Sequence, residues 1–157
     1  KMGETFVLPK AKIQEQTKLI PGTDGQKMSK SKNNVIDIFQ NEKKLRKQIM
    51  SIKTDSTPLE EPKDWNSCNC FALYELLASA EEIAEMKKNY EVGNYGYGHA
   101  KQALFELICK QFSDERERYK HYIANPDEIV QALALGAEKA NAVANKVLSR
   151  VRKKLGY

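Results

Sequence analysis

The sequence predicts a mainly α-helical protein: a bundle of helices preceded by a short segment of strand and loop. Apolar residues recur at helical spacing from about residue 41 almost to the end of the chain. Breaks rich in Gly, Pro and Asn divide this region into separate helices. Before residue 35 there are only two short apolar runs, and no complete β-α-β unit fits there. This first part therefore resembles the edge of an α/β unit.

The first 35 residues alternate between short apolar runs and turn residues. Thr5-Phe6-Val7-Leu8 is β-prone and is ended by Pro9. Leu19-Ile20 is a second apolar pair, closed by Pro21. The segment 21–26 is too rich in Pro, Gly, Thr and Asp for regular structure, and 27–34 extends it as a cationic loop.

Helix signals dominate the middle of the chain. Asn41 can cap a first helix that carries Leu45, Ile49 and Met50 on one face. Ser79 with a Glu three residues later forms a capping box. The pattern predicts further helices over about 68–78, 79–90, 98–111 and 113–124.

The last helix has the clearest boundaries. Asn125 is its predicted cap, Pro126 occupies the first helical position and Gly156 ends it. Apolar residues, mostly Ala and Val, recur on one face from Ile129 to Leu155 and allow close helix packing.

Composition is that of an ordinary globular chain. Of its 157 residues, 41% are hydrophobic and 30% charged, and no apolar run is long enough for a membrane helix or a signal peptide. Twenty-six basic and 21 acidic residues give a net charge of +5, with the excess at both ends. That distribution fits a polyanionic partner, phosphate or nucleic acid, and equally a solvated surface with a mild basic bias.

The cysteines and histidines predict no metal site. An odd number of cysteines, Cys68, Cys70 and Cys109, indicates reduced thiols in a cytoplasmic protein. Cys-x-Cys is not the spacing of zinc sites, and neither His99 nor His121 is spaced to complete one. We expect small apolar core residues instead.

The segment with the most informative chemistry is Lys27-Met28-Ser29-Lys30-Ser31. Two lysines three residues apart on a loop can reach one polyphosphate, and serine hydroxyls add donors. The glycines at 22 and 25 allow the preceding turn to bend. On composition alone, a solvated basic loop is the alternative reading.

This five-residue string resembles the signature loop of class I aminoacyl-tRNA synthetases. The segments Ile49–Ser56 and Gly93–Lys101, with Pro58 and Pro62, are similar to bacterial-type tryptophanyl-tRNA synthetases. The resemblance runs from about Phe6 to Gly156 and corresponds to the carboxy-terminal half of that family.

The resemblance implies a role for each loop residue. Lys27 and Lys30 would be catalytic, holding the β- and γ-phosphates of ATP and stabilising the leaving pyrophosphate. Ser29 and Ser31 would support the same phosphates, while the Met28 backbone and Ile20, with Leu19 as the alternative, would touch the adenosine. Mg²⁺ would accompany ATP. The resemblance gives no assignment of tRNA-contacting residues.

It also implies a division of the chain. Residues 1–35 would end the nucleotide-binding catalytic domain, and 36–157 would form a helical anticodon-binding domain. The whole protein would be a homodimeric, cytoplasmic tryptophan–tRNA ligase that forms tryptophanyl-adenylate and transfers tryptophan to tRNA(Trp). The tryptophan pocket would lie upstream, so we expect this fragment alone to be inactive. The alternative is a stand-alone helical RNA-binding or scaffold module without catalysis.

Overall fold

The computed structural model describes residues 3, 5–13 and 19–156, and within them the chain is mainly helical, as predicted. These residues contain no β-strand, only an isolated antiparallel bridge between Pro21 and Lys27. The β-prone run at Thr5–Leu8 is irregular backbone, because a short strand needs a hydrogen-bonded neighbour. The helices are α1 (Glu42–Met50), α2 (Asn69–Glu75), α3 (Ala80–Val92), α4 (Tyr97–Gln111), α5 (Ser113–Ala124) and α6 (Pro126–Leu155).

Two helix starts form as the sequence predicts. The Asn41 side chain accepts a hydrogen bond from the Lys44 amide at the start of α1. Ser79 accepts from the Glu82 amide and the Glu82 carboxylate accepts from the Ser79 amide, so the capping box of α3 is complete. Each cap satisfies amides that the helix itself cannot pair.

By its internal contacts the chain divides into two compact units. One consists of residues 14–117, and the other of residues 1–13 with 118–157. The buried core of the first unit comes from α1 to α4 and the segments between them, with α4 packed on both α1 and α2. Its fully buried members include Leu45, Ile49, Cys70, Tyr90 and Leu104.

The second unit contains the thirty-residue helix α6. Pro126 begins it and Gly156, with a left-handed φ of 82°, ends it, as predicted. Its apolar stripe is exposed, however: Leu133 is 66% and Val143 65% accessible, and α6 buries no residue. The periodicity identified the helix correctly, but it cannot show whether the chain itself supplies a partner for the apolar face.

Candidate functional site

A tight turn presents the first predicted site residues. The Met28 amide donates to the Ile20 carbonyl at 2.9 Å, and the Gly22 amide donates to the Gln26 carbonyl at 2.7 Å. Together with the Pro21–Lys27 bridge, these bonds bring the two sides of the turn together. Ile20, Met28 and Lys27 are therefore neighbours, although the sequence separates Ile20 from the others by a whole turn.

The next residues form a short 3₁₀ helix over Lys30–Lys32, with Ser29 before it and Asn33 after it. The hydroxyls of Ser29 and Ser31 lie 2.9 Å apart and share a hydrogen bond. Both hydroxyls are thus directed to the same side of the loop, where one ligand could accept hydrogen bonds from both.

The three lysines of the loop differ in their surroundings. The Lys32 ammonium donates to Gln26 Oε1 at 2.8 Å. The side chains of Lys27 and Lys30 are exposed, and neither ammonium has a partner within the described part of the chain. The two cations that the sequence singled out are therefore available to an anionic ligand, whereas Lys32 is engaged.

Two cavities adjoin the loop. Ile20 and Met28 contribute to an apolar one of about 290 Å³, whose other walls come from Ile36, Ile38 and apolar residues in and just after α2 and α4. A second cavity, of about 540 Å³, lies between Lys30 and the segment leading to α1. The loop thus has an apolar side near Ile20 and Met28 and a cationic side near Lys30.

Asn34 and Asp24 hold the loop together, and neither was identified from the sequence. The Asn34 side chain is 2% exposed and donates to Asp24 Oδ1 at 2.7 Å. This hydrogen bond is the main reason that the pKa of Asp24 lies below its usual value. A polar residue in a polar run gives no sequence signal that it is buried, so only the structure identifies Asn34.

A chain of hydrogen bonds joins the loop to the helices. The Thr23 amide donates to the Asn34 carbonyl at 2.9 Å, and the Thr23 carbonyl accepts from the Lys53 amide at 2.7 Å. Asn69, the first residue of α2, donates its side-chain amide to the Lys53 carbonyl at 3.2 Å. Gly25, with φ of 82°, packs so closely that a Cβ there would lie 2.5 Å from the Asn69 amide. The loop is therefore attached to the helical core.

The described residues include no group of three or more His, Cys, Asp and Glu that could hold a metal ion. Cys68, Cys70 and Cys109 are free thiols, and burial raises the pKa of Cys70 to about 12. A thiol with so high a pKa stays protonated at neutral pH and is a poor nucleophile or metal ligand. Among the helices that the structure describes, none is both long and apolar enough to cross a membrane.

Comparison with known families assigns the chain. A family model described as tRNA synthetases class I (W and Y) matches residues 2–113, which include the whole cationic loop of residues 27–34, here called the lysine loop. The chain belongs to this family. Its curated relatives include tryptophan–tRNA ligases from Campylobacter jejuni, 44% identical over 98% of this chain, and from Rhodopirellula baltica, 45% identical over the same share.

A solved structure agrees with the sequence relatives. The crystal structure of tryptophanyl-tRNA synthetase from Campylobacter jejuni complexed with ADP and tryptophan superposes with a TM-score of 0.88 at 43% identity, over the full length of this chain and 49% of that one. The chain spans about half the length of these relatives: 48% in the Campylobacter and Rhodopirellula proteins. These relatives favour a part of a tryptophan–tRNA ligase over a stand-alone helical module.

Proposed function

We propose that this chain is the carboxy-terminal part of an ATP-dependent tryptophan–tRNA ligase. The observation that carries the proposal is the pair of exposed ammonium groups at Lys27 and Lys30, on a loop fixed at both ends, in a chain that matches such ligases over 98% of its length. The whole protein would activate tryptophan as tryptophanyl-adenylate and then transfer it to tRNA(Trp).

In the activation step, the tryptophan carboxylate attacks the α-phosphorus of ATP and pyrophosphate leaves. Negative charge accumulates on the β- and γ-phosphates as the bond to the α-phosphorus breaks. Lys27 and Lys30 would contact those oxygens and stabilise the transition state more than the ground state. The adjacent hydroxyls of Ser29 and Ser31, 2.9 Å apart, would donate to the same phosphates.

The adenosine would lie against the apolar side of the loop. Ile20 and Met28 share one apolar cavity beside the cationic loop, which supports their role in contacting the nucleoside. Mg²⁺ would arrive bound to the phosphate oxygens of ATP, because the loop supplies cations and hydroxyls and no carboxylate cluster occurs among the described residues.

The remaining roles follow the same proposal. Residues 1–35 would end the catalytic domain as its strand and loop remnant, and 36–157 would form the anticodon-binding helical domain. The tryptophan pocket would belong to the part of the ligase that precedes this chain. The whole ligase would act as a cytoplasmic homodimer, and the 157 residues alone would not activate tryptophan.

The experiment is tryptophan-dependent exchange of pyrophosphate into ATP by the complete protein. Lys27→Ala and Lys30→Ala should each lower kcat by about 10²–10³-fold, as for loss of one transition-state donor, with little change in tryptophan KM. Lys32→Ala is the matched control, since its ammonium is engaged by Gln26, and should cost far less. Normal exchange by the Lys27 and Lys30 variants would overturn the proposal, as would no exchange by the unaltered protein.

A further inference from the structure

The Asn34 side chain makes three hydrogen bonds to its surroundings. Its Nδ2 donates to Asp24 Oδ1 at 2.7 Å and to the Lys27 carbonyl at 3.2 Å, and its Oδ1 accepts from the Ser29 amide at 2.8 Å. Two of these partners lie in the loop, and Asp24 lies in the turn before it. Asn34 thereby bridges the backbone on either side of Met28.

The space around Asn34 is fitted to it. A Cβ on Gly22 would lie 2.4 Å from both Asn34 Cγ and Nδ2, which is closer than atoms can approach. Glycine at 22 therefore makes room for the flat side-chain amide of Asn34, a residue that is 2% exposed. A buried amide that satisfies its donors and acceptor in a close-fitting site orders the surrounding backbone, because any other arrangement leaves polar groups unpaired.

The bridged atoms belong to the stretch of backbone from which the two lysine side chains extend. The carbonyl is that of Lys27, and the amide is that of Ser29, the residue that precedes the 3₁₀ helix containing Lys30. Each lysine side chain remains flexible, so its reach is set by the position of its own backbone. Fixing the backbone of residues 27 to 29 therefore fixes the Lys27 and Lys30 backbone positions relative to each other.

We propose that Asn34 is a positioning residue, which holds Lys27 and Lys30 at the positions from which both can contact the pyrophosphate leaving group. The inference rests on the proposed function of the two lysines. Asp24 is the second half of the device: its carboxylate accepts from the amides of both Asn34 and Gln26, so it ties Asn34 to the turn before the loop. Asn34 itself would contact no phosphate.

The test uses the complete protein and the same pyrophosphate exchange. Asn34→Asp keeps the size and the acceptor for Ser29, but it sets two carboxylates against each other at positions 24 and 34. We expect kcat to fall by about 10–10²-fold, as for a small displacement of catalytic groups, with an unchanged tryptophan KM. Asn33→Gly is the matched control: Asn33 is exposed, its φ is 53°, and glycine accepts that φ.

The reciprocal exchange Asp24→Asn with Asn34→Asp separates positioning from general damage. It restores one amide and one carboxylate at the two sites and the net charge of the loop, while the Ser29 amide still finds an acceptor. We expect it to recover the free energy of unfolding lost in Asn34→Asp but not the kcat, because residue 34 still has no donor for the Lys27 carbonyl. A merely structural role predicts instead that kcat recovers together with stability.

The outcomes distinguish the two proposals. If Lys30→Ala is impaired but Asn34→Asp and Asn34→Ala exchange normally, the positioning role is wrong and the proposed function stands. If Lys30→Ala exchanges normally, the proposed function itself is wrong. If Asn34→Ala fails to fold, Asn34→Asp and the reciprocal variant decide: recovery of kcat together with stability in the reciprocal variant overturns the inference.

Discussion

The hydroxyl of Tyr97, the first residue of α4, donates a hydrogen bond to Asp55 Oδ1 at 2.8 Å. It ties α4 to the irregular segment that follows α1. Hydrogen bonds from Thr57, and after them the one from Tyr97, hold the pKa of Asp55 below its usual value. Burial, with the bond to Asp55 second, raises the pKa of Tyr97.

Replacing Tyr97 with Phe should remove this bond and keep the ring. We expect the free energy of unfolding to fall by about 1 kcal/mol, equivalent to about 2–4 °C in Tm, because the bond is partly exposed. The pKa of Asp55 should rise, which carboxyl NMR titration would measure. Tyr122→Phe, at an exposed tyrosine, is the control, and an equal loss of stability there would contradict the prediction.

The capping box of α3 gives a second prediction. Ser79→Ala removes the acceptor for the Glu82 amide and should lower the free energy of unfolding by about 1 kcal/mol in urea titrations. Ser56→Ala, in an exposed loop, should have almost no effect. Equal midpoints for Ser79→Ala and the unaltered protein would show that the cap contributes nothing.

Lys63 is a buried cation, 4% exposed, at the end of the segment that leads from Pro58. Its ammonium donates to the carbonyls of Pro58 at 2.8 Å, Glu61 at 3.0 Å and Leu59 at 3.3 Å. Three carbonyls of one loop therefore depend on one side chain for their hydrogen bonds.

Lys63→Met should leave those carbonyls without their donor. We expect a loss of about 1–3 kcal/mol in the free energy of unfolding, the penalty of leaving partly buried polar groups unpaired. Lys88→Met, at an exposed position of α3, is the matched control and should stay within about 0.5 kcal/mol of the unaltered protein. A neutral Lys63→Met would mean that water replaces the ammonium.

The lowered pKa of Asp24 predicts an effect of acid on the lysine loop. A carboxyl whose folded-state pKa is below the unfolded value stabilises the fold fully at neutral pH, and this contribution is lost as the pH falls through the folded pKa. The side-chain amide signal of Asn34 should therefore shift with a midpoint below pH 3.8, the ordinary value, in NMR titration of this chain. The step should vanish in Asp24→Asn, and a midpoint above 3.8 would contradict the assignment.

Helix positions followed from local chemistry, whereas burial did not. The caps at Asn41 and Ser79 and the boundary residues of α6 all act at short range, so the sequence alone identifies them. Asn125 is an instructive exception: its amide donates to the His121 carbonyl at the end of α5 and makes no cap hydrogen bond with α6. An Asn between two adjacent helices can serve either end, and periodicity cannot choose between them.

The site shows the same division. The resemblance pointed to Lys27 and Lys30, and the structure exposes both. The role of Asn34 depends on its distances to Asp24, Lys27 and Ser29, which arise only after the chain turns back on itself. Contacts of that kind leave no periodic or compositional trace, so they could not be predicted from a single sequence.

Helix α6 has a practical consequence for work on these 157 residues alone. Thirty residues at 1.5 Å each give it a length of about 45 Å, and apolar side chains such as Ile129, Leu133 and Val143 are exposed to solvent along one face. Such a helix is amphipathic, and at high protein concentration its exposed apolar face would favour self-association. Dilute samples are therefore the right condition for spectroscopy on this polypeptide.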